Sequence, residues 1–399
     1  MALLFGHRRH PVSLPPDLAQ LLTPPQDFDA RPAVEWLIRQ AARAGASDLH
    51  LRPNQGKVEV LTRVDGVLAE QLELPGEIYE RLLVGLKNMA RVQSFRKSTP
   101  QDGRLSVDGC EVRLATGPSH FGEKVIMRLV RSGQQLPDLE QLGLEESQLH
   151  RWQSILRQPQ GLLLATGPAG SGKTTTLYAS LRWLWKGQAR WLGPRRGARL
   201  NVVTLEDPIE VVLPEFTQTP LQPAAGMTFA SGLRSLLRQD PDVILVGEIR
   251  DPETAAAAVQ SSLTGHLVLS TVHARDSVGV APRLLELGVE PYLLSAALGG
   301  VIYQRLLRRL CAHCKSEEGE PIGCDHCDSS GYRGRVAVAE VMTVSEELRQ
   351  GILDRLPLAR LRRLAEESGM LPLLEGARLL LKTNCTSQDE VQRCVGACG

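Results

Sequence analysis

The sequence Gly167-Pro-Ala-Gly-Ser-Gly-Lys-Thr174 decides the fold class of this chain. It is a complete Walker A motif: its glycines let backbone N–H groups face phosphate oxygens, Lys173 reaches the β and γ phosphates, and the Thr174 hydroxyl holds Mg²⁺. The apolar run 161–166 predicts a buried strand before the loop, and 175–183 predicts a helix after it. Together they predict an α/β domain with a parallel sheet that binds a nucleoside triphosphate. The residues predicted to contact the nucleotide are Gly167, Pro168, Ala169, Gly170, Ser171, Gly172, Lys173, Thr174 and Thr175.

Length and charge restrict the class of protein further. A chain of 399 residues predicts two or three domains. Its formal net charge of +1 creates no global field for nucleic acid, so we expect no nucleic-acid partner. No apolar run approaches the ~20 residues that span a bilayer, and the first ten residues lack the pattern of a signal peptide. We therefore expect a cytoplasmic protein with no membrane span.

Prolines and apolar periodicity divide the chain into predicted domains. Five prolines among residues 1–30 predict an N-terminal arm. Short alternating segments and two helices predict a small α+β domain over residues 31–133, with a hairpin turn at Asp108-Gly109. Residues 134–141 predict a linker. Alternating strands and helices then predict a second domain over residues 142–399, mostly helical from 336 onward, with an exposed basic loop at 185–199.

An acidic segment supplies the second element of the predicted site. The apolar run 243–246 predicts a buried strand, and Glu248 lies at its C-terminal end. Ligands bind outside the carboxyl ends of strands in open α/β sheets, so Glu248 is predicted to polarise the attacking water.

Two further segments add carboxylates and histidines. Glu206 and Asp207 follow another apolar strand and are candidates to hold Mg²⁺ through its waters, and the sequence does not decide between them and Glu210. His273 lies at the end of the strand 267–271 and His266 precedes it, so both are predicted to be catalytic.

These motifs, in this order, resemble those of the secretion-superfamily ATPases of type II secretion and type IV pilus assembly. The segments that match, besides the Walker A motif, are 204–210, 237–254, 264–274, 47–51, 63–66 and 101–104. The resemblance implies a PAS-like small domain, a RecA-like large domain and a homohexamer that hydrolyses ATP with Mg²⁺. It also implies that Arg104 and Arg113 act as fingers on the phosphates when the domains close. The implied partners are inner-membrane platform proteins of a secretion or pilus machine, with the ATPase on their cytoplasmic side.

Two CxxC pairs predict a metal site. Cys311, Cys314, Cys324 and Cys327 have the spacing of a tetrahedral four-sulfur zinc site, with His313 or His326 as a substitute ligand. The resembling assembly and secretion ATPases have this element, followed as here by a Gly-Tyr-x-Gly-Arg segment at 331–335. Retraction motors of the superfamily generally lack it. The sequence therefore favours an assembly or secretion motor over a pilus retraction or DNA-uptake motor. A nucleotide-binding regulatory subunit that hydrolyses poorly stays open as an alternative.

Overall fold

The computed structural model describes residues 16–23, 29–131, 136–188 and 200–396. The chain divides into two compact units, Met1–Gln134 with Arg308–Arg335, and Gln135–Leu307 with Val336–Gly399. Residues 311–327, which the sequence analysis assigns to the second domain, thus fall in the first unit. Within that unit, the Gly334 N–H donates to Asp65 Oδ2 at 2.9 Å, and Arg335 pairs with Asp65 at 3.4 Å.

The first unit is a small α+β domain, as predicted. Its helices are α1 (Pro16–Leu21), α2 (Ala30–Arg43) and α3 (Gly76–Met89), and its strands are β1 (Asp48–Asn54), β2 (Lys57–Val64), β3 (Val67–Pro75), β4 (Gln101–Val107), β5 (Cys110–Ser119) and β6 (Gly122–Arg131). The strands form an antiparallel sheet in the order β3-β2-β1-β6-β5-β4. Asp108 and Gly109 have φ of 48° and 77°, which gives the predicted hairpin between β4 and β5.

The second unit contains the parallel sheet. Its elements begin with α4 (Glu146–Leu156), β7 (Gly161–Thr166), α5 (Lys173–Trp183), β8 (Val202–Glu206), β9 (Thr217–Pro220), α6 (Phe229–Leu236), β10 (Val243–Ile249), α7 (Pro252–Leu263), β11 (Leu267–Val272), α8 (Val280–Glu286) and α9 (Pro291–Ala297). They continue with β12 (Leu298–Leu310), β13 (Tyr332–Thr343), α10 (Glu346–Leu353), α11 (Leu358–Glu367), α12 (Leu373–Lys382) and α13 (Gln388–Cys394). Residues 308–310 of β12 and 332–335 of β13 belong to the first unit. The sheet order is β13-β12-β7-β11-β10-β8-β9, and β12, β7, β11, β10, β8 and β9 are paired in parallel.

The prediction of a helical region from residue 336 starts too early. Strand β13 continues to Thr343, and its segment 336–342 is buried throughout. This run is apolar except for Glu340 and does not alternate between buried and exposed residues, so periodicity does not distinguish it from a buried helix. Helices α10 to α13 follow it. Residues 189–199 of the predicted basic loop lie outside the described residues. Among the residues that are described, no helix is both long and apolar enough to cross a membrane.

Candidate functional site

The Walker A segment forms a tight loop between β7 and α5. Gly167, Gly170 and Gly172 have φ of 142°, 73° and 88°, values that favour glycine. A Cβ at Gly167 would lie 2.5 Å from the Gln304 carbonyl oxygen, whereas a Cβ at Gly170 would meet nothing within 4 Å. The loop therefore packs on β12 on one side and faces open space on the other, which fits a phosphate cradle.

Gln304 of β12 fixes this loop, and sequence reasoning missed it. Its buried Nε2 donates to the Ser171 carbonyl oxygen at 2.6 Å. Gln304 Oε1 and Ser171 Oγ are buried and make no hydrogen bond within the described part of the chain. No motif marks Gln304, because its strand lies more than a hundred residues beyond the loop it contacts.

Lys173 lies over the loop, near two carboxylates. Its Nζ donates to the carbonyl oxygens of Gly167 at 2.8 Å and Pro168 at 2.9 Å. Burial lowers the pKa of Lys173, and the charges of Glu248 and Glu210 act in the opposite direction. The Lys173 ammonium, beside the P-loop, thus interacts with the charges of Glu248 and Glu210. Thr174 and Thr175 lie in the first turn of α5.

Glu248 is held at the carboxyl end of β10. The β10–β11 pairing is irregular between Val246 and Ile249, where the Thr271 hydroxyl donates to the Gly247 carbonyl oxygen at 2.8 Å. The Glu248 side chain is 15% exposed, and its Oε2 lies 2.6 Å from Arg250 Nε. His273 Nε2 is 4.0 Å from the same oxygen, and the His273 side chain is 60% exposed. Arg250 is a partner that the sequence analysis did not identify.

Glu206 has a different environment from the one expected for a Mg²⁺ site. It is 4% exposed, and its carboxylate accepts hydrogen bonds from Tyr178, from the Thr204 hydroxyl at 2.6 Å and from Gln218 at 3.1 Å. Burial and the Glu206 charge raise the pKa of Tyr178, which keeps its hydroxyl protonated as a donor. Because both Glu206 oxygens are engaged, Asp207 and Glu210, which are exposed, are the better magnesium candidates.

His266 lies at the opposite edge of the sheet from the P-loop of its own chain. Strand β11 is parallel to β7, with Leu267 opposite Gly161 and Thr271 opposite Ala165. The Gly161 N–H donates to the His266 carbonyl oxygen at 3.1 Å, at the amino end of both strands. At ~3.3 Å per residue, this separates His266 from the loop by roughly the strand length of ~17 Å. The structure therefore does not bring His266 to the P-loop of its own chain, whereas His273 follows the other end of β11.

The two predicted finger arginines lie side by side in the first unit. Arg104 of β4 is opposite Arg113 of β5, and Arg113 is opposite Arg128 of β6. Directly opposite residues share a sheet face, so the three arginines form a row across the strands. Arg128 Nε pairs with Asp48 Oδ1 at 3.2 Å, while Arg104 is exposed.

The four cysteines of the two CxxC pairs form one cluster. Their sulfur atoms all lie within 4.8 Å of one another, with Sγ–Sγ distances of 3.9 Å for Cys311–Cys324 and 3.7 Å for Cys314–Cys327. Zinc–sulfur bonds of ~2.3 Å in a tetrahedron require sulfurs about 3.8 Å apart, so the cluster fits this metal. For Cys327, burial is outweighed by hydrogen bonds from the N–H groups of Cys324 and Gly331, which lower the pKa to about 7.

The histidines beside this cluster do not complete it. The cluster consists of the four cysteines, and the imidazoles of His313 and His326 stack on each other with centroids 4.0 Å apart. The alternative of a histidine ligand is therefore unnecessary, because four thiolates already satisfy the tetrahedral geometry.

A phosphate-binding loop, an acidic strand end and a histidine at one edge of a parallel sheet define a P-loop nucleotide-binding protein. This chain belongs to the Type II/IV secretion system protein family, whose model matches residues 29–393. The resemblance inferred from the motifs is thereby confirmed.

Sequence relatives carry secretion and pilus names. The chain is 41% identical over 390 residues to the type IV pilus assembly ATPase TfpB of Acinetobacter baylyi, which covers 91% of this chain and 65% of the relative. It is 38% identical over 385 residues to the type II secretion system protein HxcR of Pseudomonas aeruginosa, covering 95% and 80%. Against the type IV pilus assembly ATPase PilB of Thermus thermophilus, identity is 37% over 389 residues, and the chain spans only 42% of that protein.

Solved structures share the fold. The Legionella pneumophila ATPase DotB matches with a TM-score of 0.68 and 20% identity, covering 94% of this chain and 97% of that one. The ADP-bound pilus retraction motor PilT matches with a TM-score of 0.63 and 23% identity, covering 92% and 97%. The predicted fold class is thus confirmed.

Proposed function

We propose that this chain is an ATPase that works as a hexamer to drive type II protein secretion or type IV pilus assembly. One observation carries the proposal: the P-loop, Glu248 and His273 meet at one edge of the parallel sheet. Family membership and relatives named as a pilus assembly ATPase and a type II secretion protein support it. The likeness to a retraction motor is one of fold, so assembly or secretion is preferred to retraction.

Hydrolysis of a phosphoanhydride depends on positioned charge more than on covalent chemistry. Lys173 would leave the carbonyl oxygens of its own loop and contact the phosphates. Thr174, with Asp207 or Glu210, would hold Mg²⁺, which when bound neutralises phosphate charge. Glu248 would orient the attacking water and accept its proton. Arg250 holds the Glu248 carboxylate in position from one side. His273 would donate to the γ-phosphate.

The tetracysteine cluster is proposed to hold a structural zinc ion, because all four positions of the tetrahedron are filled by protein sulfurs. We place the protein in the cytoplasm. Its family membership suggests inner-membrane platform proteins as the partners that it binds. The role of these partners is a proposal, since the chain spans 65% of TfpB and 42% of PilB.

The proposal is tested by separating nucleotide binding from hydrolysis. Lys173→Ala removes a phosphate contact and should weaken ATP binding. Glu248→Gln keeps the shape but not the base, so it should bind ATP and lose about 10²-fold or more in kcat. Glu253→Gln, an exposed change of the same kind in the next helix, is the control. Binding is measured with a fluorescent ATP analogue and turnover by phosphate release. Near-normal turnover by the Glu248→Gln enzyme would refute the role of Glu248.

A further inference from the structure

The loop that carries His273 is anchored to the C-terminal helices. Four residues beyond His273, the Ser277 N–H and hydroxyl both reach Glu340 Oε2, at 3.3 and 2.8 Å. Ser277 is fully buried and Glu340 is 4% exposed. The other oxygen of Glu340 accepts from the Leu373 N–H at 3.2 Å, where α12 begins. One buried carboxylate of β13 thus joins the loop to α12.

Arg362 of α11 reinforces the same connection. Its Nη2 lies 2.7 Å from Asp276 Oδ2, and its Nη1 lies 3.5 Å from Glu340 Oε1. Asp276 in turn accepts the Gly279 N–H through Oδ1 at 2.7 Å, which fixes the turn that begins α8. A planar guanidinium can hold two carboxylates at fixed angles, so Arg362 sets the position of Asp276 relative to β13.

Nearer to His273, the same loop is also tied to the P-loop strand. The Ala274 N–H donates to Thr166 Oγ1 at 3.0 Å, and the Thr166 hydroxyl lies 3.3 Å from the Ala274 carbonyl oxygen. Thr166 is the residue before the first glycine of the Walker A motif. The His273 side chain is exposed, and its polar contact within the described residues is the one to Glu248 at 4.0 Å. Its position therefore depends on bonds made by its neighbours.

We propose that Arg362 and Glu340 are positioning residues that hold His273 opposite Glu248, so that α11 and α12 are mechanically linked to the hydrolysis step. This inference rests on the proposed ATPase function. The bonds of both residues go to the loop after His273 and to the C-terminal helices, so their loss should leave nucleotide affinity unchanged while the reacting groups lose alignment. A displacement of α11 would act on the loop that follows His273 through Asp276 and Glu340.

The test is a double-mutant cycle between Arg362 and His273. Arg362→Gln should lower kcat about 10-fold and change the affinity for a fluorescent ATP analogue less than about 2-fold. Arg362→Lys keeps the charge and should restore part of the activity. Because Arg362 acts through His273, the Arg362→Gln/His273→Ala enzyme should be no slower than His273→Ala alone. Arg363→Gln, an exposed arginine on the same helix, is the matched control and should behave as wild type.

Three results would overturn the inference. Additive losses, an equal loss in Arg363→Gln, or wild-type turnover by His273→Ala would each exclude action through His273. If Arg362→Gln does not fold, as judged by circular dichroism, Ser277→Ala replaces it, because it removes the hydroxyl bond to Glu340 and leaves the ion pairs intact. An inactive wild-type enzyme would refute the proposed function and this inference together. An active wild type with fully active Arg362→Gln and Ser277→Ala variants would refute this inference alone.

Discussion

At the scale of single residues, Glu206 illustrates what local sequence cannot reveal. It is the last residue of β8 and lies next to Asp207, so the sequence pattern alone gives both residues the same metal-binding role. The structure separates them, because Tyr178, 28 positions earlier, and Gln218, 12 positions later, both bond to the Glu206 carboxylate. Partners that come from other elements decide whether a carboxylate faces a ligand or the core.

This separation predicts different phenotypes for two neighbouring acids. Glu206→Gln leaves buried donors poorly matched and should lower the free energy of unfolding by about 1–3 kcal/mol, measured by urea denaturation. Its Mg²⁺ requirement for ATP hydrolysis should stay the same. Asp207→Asn is exposed and should keep its stability but raise the Mg²⁺ concentration for half-maximal activity. If both variants shift the Mg²⁺ dependence equally, Glu206 contacts the metal after all.

At the scale of secondary-structure elements, the sequence predicted the strands that end at motifs. Strands β7, β8, β10 and β11 are short apolar runs, each followed by a polar segment, so length and flanking residues identify them. Strands β12 and β13 were missed because β12 mixes arginines with apolar residues and β13 has a long buried run without alternation. Missing β12 also meant missing Gln304, the residue that fixes the P-loop.

The tetracysteine element is expected to bind zinc and to stabilise the fold around it. Metal analysis of protein purified without added metal should find about one zinc per chain, held by four thiolates with no open position. A Cys314→Ser/Cys324→Ser protein should lose the zinc and melt at a lower temperature, because the cluster closes the segment 311–327. The Cys385→Ser protein, changed outside the cluster, should keep its zinc and its melting temperature. Zinc that remains after the double change would show that the ion is bound elsewhere.

At the scale of the whole molecule, motifs and their order predicted the family, and packing decided the division into units. From sequence periodicity, the small domain was predicted to end before the linker. In the structure, the segment Arg308–Arg335 also belongs to the first unit. Within the first unit, Asp65 bonds to Gly334 and Arg335, which lie more than 260 positions further along the chain. Contacts of such separation leave no periodic signal in a single sequence.

For the proposed ring of subunits, we expect the arginine row of the first unit to supply positive charge to the phosphates during hydrolysis. Arg104 and Arg113 are neighbours in the sheet; Arg113 Nε lies 3.9 Å from Glu111 Oε1, and Arg128 Nε lies 3.2 Å from Asp48 Oδ1. Guanidinium groups stay charged at any working pH and fit phosphate oxygens. Arg104→Ala and Arg113→Ala should therefore bind ATP normally and lose about 10²-fold in kcat. Arg128→Ala should have a smaller effect.

Mixing variants distinguishes action between subunits from action within one chain. An Arg113→Ala subunit keeps an intact P-loop, and a Lys173→Ala subunit keeps intact arginines. If an arginine reaches the nucleotide of a neighbour, hybrid oligomers contain sites with a competent loop from one chain and a competent arginine from the other. Phosphate release should then exceed the sum of the two separate variants after co-assembly, confirmed by size-exclusion chromatography with light scattering. If the arginine serves its own chain, every site lacks one group and mixing restores nothing. Full activity of both single alanine variants would instead make the row a solvated surface without a catalytic role.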